Sequence, residues 1–587
     1  MPLPRPSPCP SRPLTLDLAL AARQSANFLE HNTDEKLRYL PYFKTHYGQE
    51  PVVSQHTHWD FCENPGRYLY AIGAVRQMLG PKVPQEAAAR QLAILEPQFD
   101  EPDGLNYRPR TSPFRNYRGG HPIEGPGTAP QMEHTAEMWD NRSIFMGQFL
   151  SWLVTGDAHA GERARGMIAG LKRLVIRQDG IVRLAQVGYA PGYVPDPSHA
   201  GRPGEHMGGW VSGLVNWHRK TGDAEALEIA LGFSRYHLRE AFRPQAALEG
   251  RFNTHSALFL LAGMVRAARA TGDDALLGAV REKLDWYLAD CASSFGWVSE
   301  SLNRGRLEPG ENESCETCAL ADAIDCAIQL ARSGFPEYWE VAERFTRNYL
   351  EEAQLRDVSW LPTQRPTPAP IDINDHVTFL TEGVPQKIRG CYVGWGSPND
   401  FVNPTARLSG QHAIMHCCGP HGAFANWLAW HNILAREPGR LSVNLLISRS
   451  APEAEVVSWL PFQGRVELHL KVAAEARLRV PGWAKRDQVR AQVDGRDVPV
   501  RWDGLFVRFA DLKPGQTAAV LFPVVKQTRT EKIAGNVYTT TWRGDTVVKI
   551  DPPGRFHPFF ERQALDRDEA PEGRAEEGYF PQEEIDW

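Results

Sequence analysis

Three times in the first half of the chain the same three letters interrupt a helical pattern: Thr155-Gly156-Asp157, Thr221-Gly222-Asp223 and Thr271-Gly272-Asp273, followed by a looser Ser333-Gly334. Glycine takes the left-handed backbone that ends an α-helix, and an aspartate just after it can accept the free N–H groups of the next helix. Each triplet is therefore read as the turn of a helical hairpin. Apolar segments precede the turns (143–154, 208–219, 256–270), and amphipathic ones such as 224–238 and 275–288 follow them. Inner and outer helices of an α/α toroid alternate in this way. The connections 101–135 and 187–205 are long and rich in glycine and proline, so they should crowd one rim and gather binding residues there.

Past about residue 440 the apolar period changes to two: Val466, Leu468, Leu470 and Val472 alternate with Glu467, His469 and Lys471. Turn signals at Asp494-Gly495, Asp503-Gly504 and Lys513-Pro514-Gly515 then predict an antiparallel sandwich. The expected organisation is a flexible segment 1–13, a helical catalytic domain 14–438, a β-sandwich 439–525, and a second small β segment with an acidic tail over 526–587. The tail is expected to be poorly ordered or docked on the surface.

The charge balance narrows the function classes. Lys and Arg number 65 against 71 Asp and Glu, a net −6, which lacks the basic footprint of a nucleic-acid binder. The longest apolar run, 257–265, is far short of the roughly 20 residues a membrane span needs. The N-terminus is too rich in proline for an export signal, so a cytoplasmic location with reduced thiols is expected for the nine cysteines. With 17 Trp and many His, a neutral or weakly charged ligand such as a sugar is favoured.

Two segments concentrate thiols and carboxylates at predicted helix starts: Glu311-Asn312-Glu313-Ser314-Cys315-Glu316-Thr317-Cys318 and His416-Cys417-Cys418-Gly419-Pro420. Zinc accepts Cys sulfur and Glu oxygen tetrahedrally. Spacing alone leaves two sites open, one of four cysteines (315, 318, 417, 418) and one of three with Glu316. Glu316 can join Cys318 if it lies in the loop entering the helix. Adjacent Cys417 and Cys418 fit the usual structural spacing poorly, which favours a functional centre.

Glu316-Thr317-Cys318 at a helix start, Cys417-Cys418 about a hundred residues on, and a β domain containing Val480-Pro481-Gly482-Trp483-Ala484 together resemble glycoside hydrolase family 127, the β-L-arabinofuranosidases. The resemblance covers most of the chain. It implies a mainly α protein with β, an (α/α)6 barrel followed by antiparallel β-sandwich domains. It implies Zn2+ held by Glu316, Cys318, Cys417 and Cys418, with Cys417 as nucleophile. It also implies an acid/base at Glu300, 16 residues before Glu316, and substrate contacts at His255 and His206. The chain departs from the family where Glu137-Met138-Trp139-Asp140-Asn141-Arg142 replaces a His-rich stretch, and where Gly419-Pro420-His421 follows the cysteine pair. One expected sugar contact is then missing, or replaced by Asp140 or Arg142, and an arginine there would also suit an acidic sugar.

Tyr392 and Trp395 are further candidates for stacking on a sugar, against a core role. His56 and His58 could line the barrel mouth or cap a helix, and Asp372-Ile373-Asn374-Asp375-His376 reads as a polar turn. Two rival functions remain: a uronide-processing hydrolase or lyase of an α/α-toroid family, and a carbohydrate-binding scaffold stapled by zinc through Cys315. The expected partner is an oligosaccharide or glycoside substrate, with no nucleic acid, no membrane, and a homodimer admissible.

Overall fold

A computed structural model describes residues 12–48, 50–56, 60, 63–109, 134–199, 201, 205–242, 254–302, 305–309, 313–361, 379–380, 382–403, 413–573, 579–581 and 583–587. Most of segment 1–13, His58 and the 372–376 turn lie outside the described residues, as does the side chain of His206.

The Thr-Gly-Asp triplets behave as their chemistry dictates. Gly156, Gly222 and Gly272 have φ of 73°, 77° and 68°. Asp157, Asp223 and Asp273 accept the N–H groups of His159 and Ala160, of Ala226, and of Leu276. Each threonine hydroxyl donates to the carbonyl four residues back, at 2.7, 2.7 and 2.9 Å. The three hairpins therefore close with one local design.

Among the described residues, six helices pack side by side in a closed ring: Glu63–Leu79, Met138–Thr155, Glu205–Thr221, Thr254–Thr271, Thr317–Arg332 and Cys418–His431, the last returning to the first. Outer helices Leu18–His31, Gln85–Leu95, Ala158–Leu174, Ala224–Glu240, Asp274–Asp290 and Tyr338–Phe345 pack against them. This is an (α/α)6 barrel. The inner helices begin earlier than their apolar period suggests, because the first turns carry polar residues such as Asp140-Asn141-Arg142. Among the described residues no helix is long and apolar enough to cross a membrane.

Short strands also occur within the helical region, but from Leu434 onward the chain builds two larger sheets, one of five strands and one of six. Val466, Leu468 and Leu470 are buried as the alternation requires, but the strand ends at Leu470, Val472 beyond it is exposed, and Glu467 is buried as well. Against the antiparallel expectation, Arg440–Val443 pairs parallel with Ala474–Arg479. The chain leaves for the six-stranded sheet between these strands, and that crossover brings it back in the same direction. A three-stranded sheet over Lys526–Ile533, Asn536–Arg543 and Thr546–Asp551 follows. Buried Glu343 joins the domains by accepting from Arg347 (2.7 Å), Leu446 N (2.8 Å) and Arg479.

The last described residues dock on the barrel. Trp587 is 1% exposed, its ring 6.0 Å from Phe149 and 5.8 Å from Phe424, so it closes the barrel from the end where the inner helices finish. Glu584 binds Arg436 and Arg449, and Asp586 binds Arg219 and Arg332. Truncating so large a buried ring costs about 3–5 kcal/mol. Trp587→Ala is expected to lower the unfolding free energy by that amount, read as a lower denaturation midpoint at unchanged slope, and a loss near zero would show that the docked tail adds no stability.

Candidate functional site

The inner helices start on the rim opposite Trp587, and two of these starts carry the thiols. Glu316 is extended (φ −80°, ψ 122°) and enters the helix Thr317–Arg332, so its carboxylate can turn back beside Cys318 in the first turn. Cys417 caps the helix Cys418–His431 and Cys418 is its first residue. Free N–H groups and the positive end of each helix dipole favour anionic sulfur and carboxylate there.

The four groups converge. Cys318 Sγ lies 3.4 Å from Cys418 Sγ, and Cys417 Sγ lies 3.9 Å from Cys418 Sγ and 3.9 Å from Glu316 Oε1. Cys418 Sγ is 4.0 Å from the same oxygen, and all four ligand atoms fall within 4.8 Å of one another. A tetrahedral zinc with Zn–S of about 2.3 Å would hold its sulfurs about 3.8 Å apart, so the donor set and its edges fit that ion. Cys315 turns away: its sulfur accepts from Val298 N at 3.4 Å, while its backbone pairs with Gly396. Phe43 and Met415 pack on the cluster and dry it.

Charge is distributed unequally. The Cys318 and Cys418 thiols donate to Cys417, and with Arg67 and His416 nearby they outweigh burial and hold Cys417 well below the usual thiol range. Burial pushes Cys318 and Cys418 up. It pushes Glu316 up as well, with the charges of Cys417 and Glu300 adding to the effect.

A buried chain of polar contacts runs inward from the cluster. Arg67 pairs with Glu63, faces Cys318 Sγ at 3.6 Å, and donates to His255 Nε2 at 3.2 Å. Because that nitrogen accepts, His255 Nδ1 carries the hydrogen and donates to Asp322 at 2.5 Å. Asp322 also accepts from His421 Nε2 at 2.8 Å, which leaves His421 Nδ1 to accept the Tyr70 hydroxyl at 2.8 Å. Burial, with Arg67 and Arg142 adding to it, holds both imidazoles well below their ordinary pKa, so both are neutral.

The remaining candidates scatter around this frame. Glu300 is half-buried; its N–H donates to Ser314 O and its carbonyl accepts from Thr254 N, both at 3.1 Å. It is thus pinned between the approach to Glu316 and the helix that carries His255. Arg142 is fully buried over the rings of Trp139 (4.7 Å) and Phe259 (5.6 Å), and Asp140 is ion-paired with Arg108 at 2.7 Å. His206 belongs to the helix Glu205–Thr221. Trp395 is 8% exposed, its indole N–H without a hydrogen-bond partner among the described residues, and the carbonyl of neighbouring Gly394 touches Cys418 Sγ at 3.7 Å. Tyr392 is corrected. Its ring packs where a side chain on Gly422 would stand, 2.5 Å away, and its hydroxyl faces Ser25, so it belongs to the core. His56 is likewise internal, between Asp34 (3.1 Å) and Asp60 (2.5 Å) and stacked on Tyr42.

Arg67, Asp322, His421 and Tyr70 form part of this site, and the sequence reading gave none of them a role. A signal existed for Asp322: it stands four residues after Cys318 on a mostly apolar inner helix, hence on the same face. Arg67 carried none, since only the ring of helices brings it to Cys318.

No family model matches the chain, and no curated protein is similar to it in sequence. Solved structures are similar in fold. A beta-arabinofuranosidase of glycoside hydrolase family 127 superposes with a TM-score of 0.56 at 15% identity over 90% of this chain and 80% of that one. A family 127 beta-L-arabinofuranosidase from Geobacillus stearothermophilus T6 gives 0.54 at 15% identity over 90% and 80%. A structure described as a glycoside hydrolase gives 0.57 at 12% identity over 92% and 81%. At these identities the likeness is one of architecture: the chain adopts the fold of the family 127 glycoside hydrolases, barrel and β domains together.

Proposed function

We propose that this chain is a retaining glycoside hydrolase that releases a terminal β-L-arabinofuranose or related furanose, with Cys417 as nucleophile and Glu300 as acid/base. The observation that carries the reading is the convergence of Glu316, Cys318, Cys417 and Cys418 from two helix starts a hundred residues apart, at the rim where polar first turns collect. The family 127 fold supports it.

Zinc bound by those four residues would keep the thiols deprotonated at neutral pH. In the first step Cys417 sulfur forms a bond to the anomeric carbon while the bond to the leaving oxygen breaks, and Glu300 gives that oxygen its proton. In the second, Glu300 carboxylate takes a proton from water, whose oxygen bonds to the anomeric carbon as the carbon–sulfur bond breaks. Arg67 orients Cys318 and fixes the His255 tautomer, and His255 and the Trp395 indole N–H are assigned to the sugar hydroxyls. Phe43 and Met415 exclude water from the thiols.

Metal analysis combined with a panel of nitrophenyl furanosides and pyranosides, neutral and acidic, tests the reading. One zinc per chain is expected, retained in Cys315→Ser and lost in Cys318→Ser, with activity on an arabinofuranoside removed by a chelator. Zinc lost in Cys315→Ser but kept in Glu316→Gln would replace the site with the four-cysteine one. Cleavage of acidic pyranosides untouched by chelator would favour a uronide-processing enzyme.

A further inference from the structure

The rim opposite the thiols holds a second concentration of charge that the proposed chemistry does not use. A cavity of about 640 Å³ opens there beside the docked tail, lined by His218, Arg219, Arg266, Arg269, Arg332 and Asp586. Four guanidinium groups from three inner helices meet in it. Arg266 is bound by both oxygens of Asp325 at 2.8 Å, and Asp586 is shared between Arg219 (2.5 Å) and Arg332 (2.6 Å). Two side-chain carboxylates thus face four guanidinium groups.

The surplus is visible in the groups themselves. Arg269 donates to the neutral Gln329 side chain at 3.3 Å, and burial together with Arg332 and Arg266 lowers its pKa to about 10. Arg266 Nε and Arg332 Nη1 are buried without a hydrogen-bond partner among the described residues, and Arg266 is only 2% exposed. Helix C-termini favour a nearby cation, which accounts for Arg219, Arg269 and Arg332 one at a time. That preference does not explain their convergence on one another and on Arg266, since like charges in a partly buried site repel.

We propose that this cavity binds a phosphate-class oxyanion, free phosphate or a phosphomonoester, through Arg266, Arg269 and Arg332. A phosphate carries close to two negative charges and several strong acceptor oxygens, so it can take donors from guanidinium groups on different helices at once. A carboxylate matches a single planar fork, and the fork of Arg266 is already filled by Asp325. The volume exceeds that of phosphate alone and admits the organic part of a monoester.

Thermal unfolding and isothermal titration of the full chain with inorganic phosphate test the site, with sodium chloride at equal ionic strength as reference. Phosphate is expected to raise Tm saturably, because a ligand of the native state alone stabilises by mass action, and to bind one per chain. Arg269→Gln should weaken phosphate binding at least tenfold and, in phosphate-free buffer, melt no lower than the parent. Tighter binding of phenyl phosphate than of phosphate would assign the site to a monoester, and equal binding to the free ion. An identical rise with chloride, unchanged binding in Arg269→Gln, or a lower Tm of that variant without phosphate would overturn the proposal, since each would mean that the protein already balances its own charge.

Discussion

Replacing Cys417 by alanine is expected to lower kcat by roughly 10⁴- to 10⁶-fold, the range seen when the attacking group of a covalent mechanism is removed. The effect should be this large because the other steps depend on the bond this sulfur makes. Cys417 is the thiol with the lowest pKa in the cluster, held there by donation from Cys318 and Cys418. Since all three cysteines are proposed ligands, loss of rate in any one variant does not by itself identify the nucleophile. A haloacetamide-bearing sugar separates the roles: its label should appear on Cys417. A label on Cys418, or on no cysteine, would refute the assignment even if Cys417→Ala were dead.

Glu300→Gln should keep the fold and the metal while losing about 10²- to 10⁴-fold on substrates with poor leaving groups, the usual contribution of general acid/base catalysis. Activated leaving groups need less protonation and should suffer less in the first step. Azide needs no general base, so it should restore turnover of activated substrates by Glu300→Ala. The backbone contacts of Glu300, to Ser314 and Thr254, do not involve its side chain, so either substitution should leave the loop in place. Rates like those of the parent for Glu300→Gln on a poor leaving group would reduce Glu300 to a loop carboxylate, with Glu308, Glu311 and Glu313 next to be tested.

The toroid was legible because its turns are local. A glycine that must adopt positive φ, followed by an aspartate that must cap a helix, needs no knowledge of distant residues, and each of the three triplets does both. The strands after Leu434 were legible for the same reason, through an alternation of neighbours. The starts of the three inner helices ahead of those triplets were not, because first turns such as that of Met138–Thr155 carry polar residues that break the apolar period.

Within the site the sequence determined the ligand types and their two helix starts, and left Cys315 and Glu316 as competing fourth partners. Only the tertiary structure decided between their positions, since Glu316 in its extended entry turns toward Cys417 while Cys315 is drawn into pairing with Gly396. The same holds for Arg67, Asp322 and His421, which lie on three different inner helices and touch because the ring closes. Tyr392 fell to the core because Gly422 leaves room for a ring, a vacancy no neighbour in sequence announces. The tail composition reads as acidic and either poorly ordered or docked, and only the tertiary structure shows Trp587 in a hydrophobic socket and Asp586 against arginines of helices hundreds of residues away. Local backbone chemistry is written residue by residue, whereas a site assembled from several helix ends depends on long-range packing that no single segment encodes.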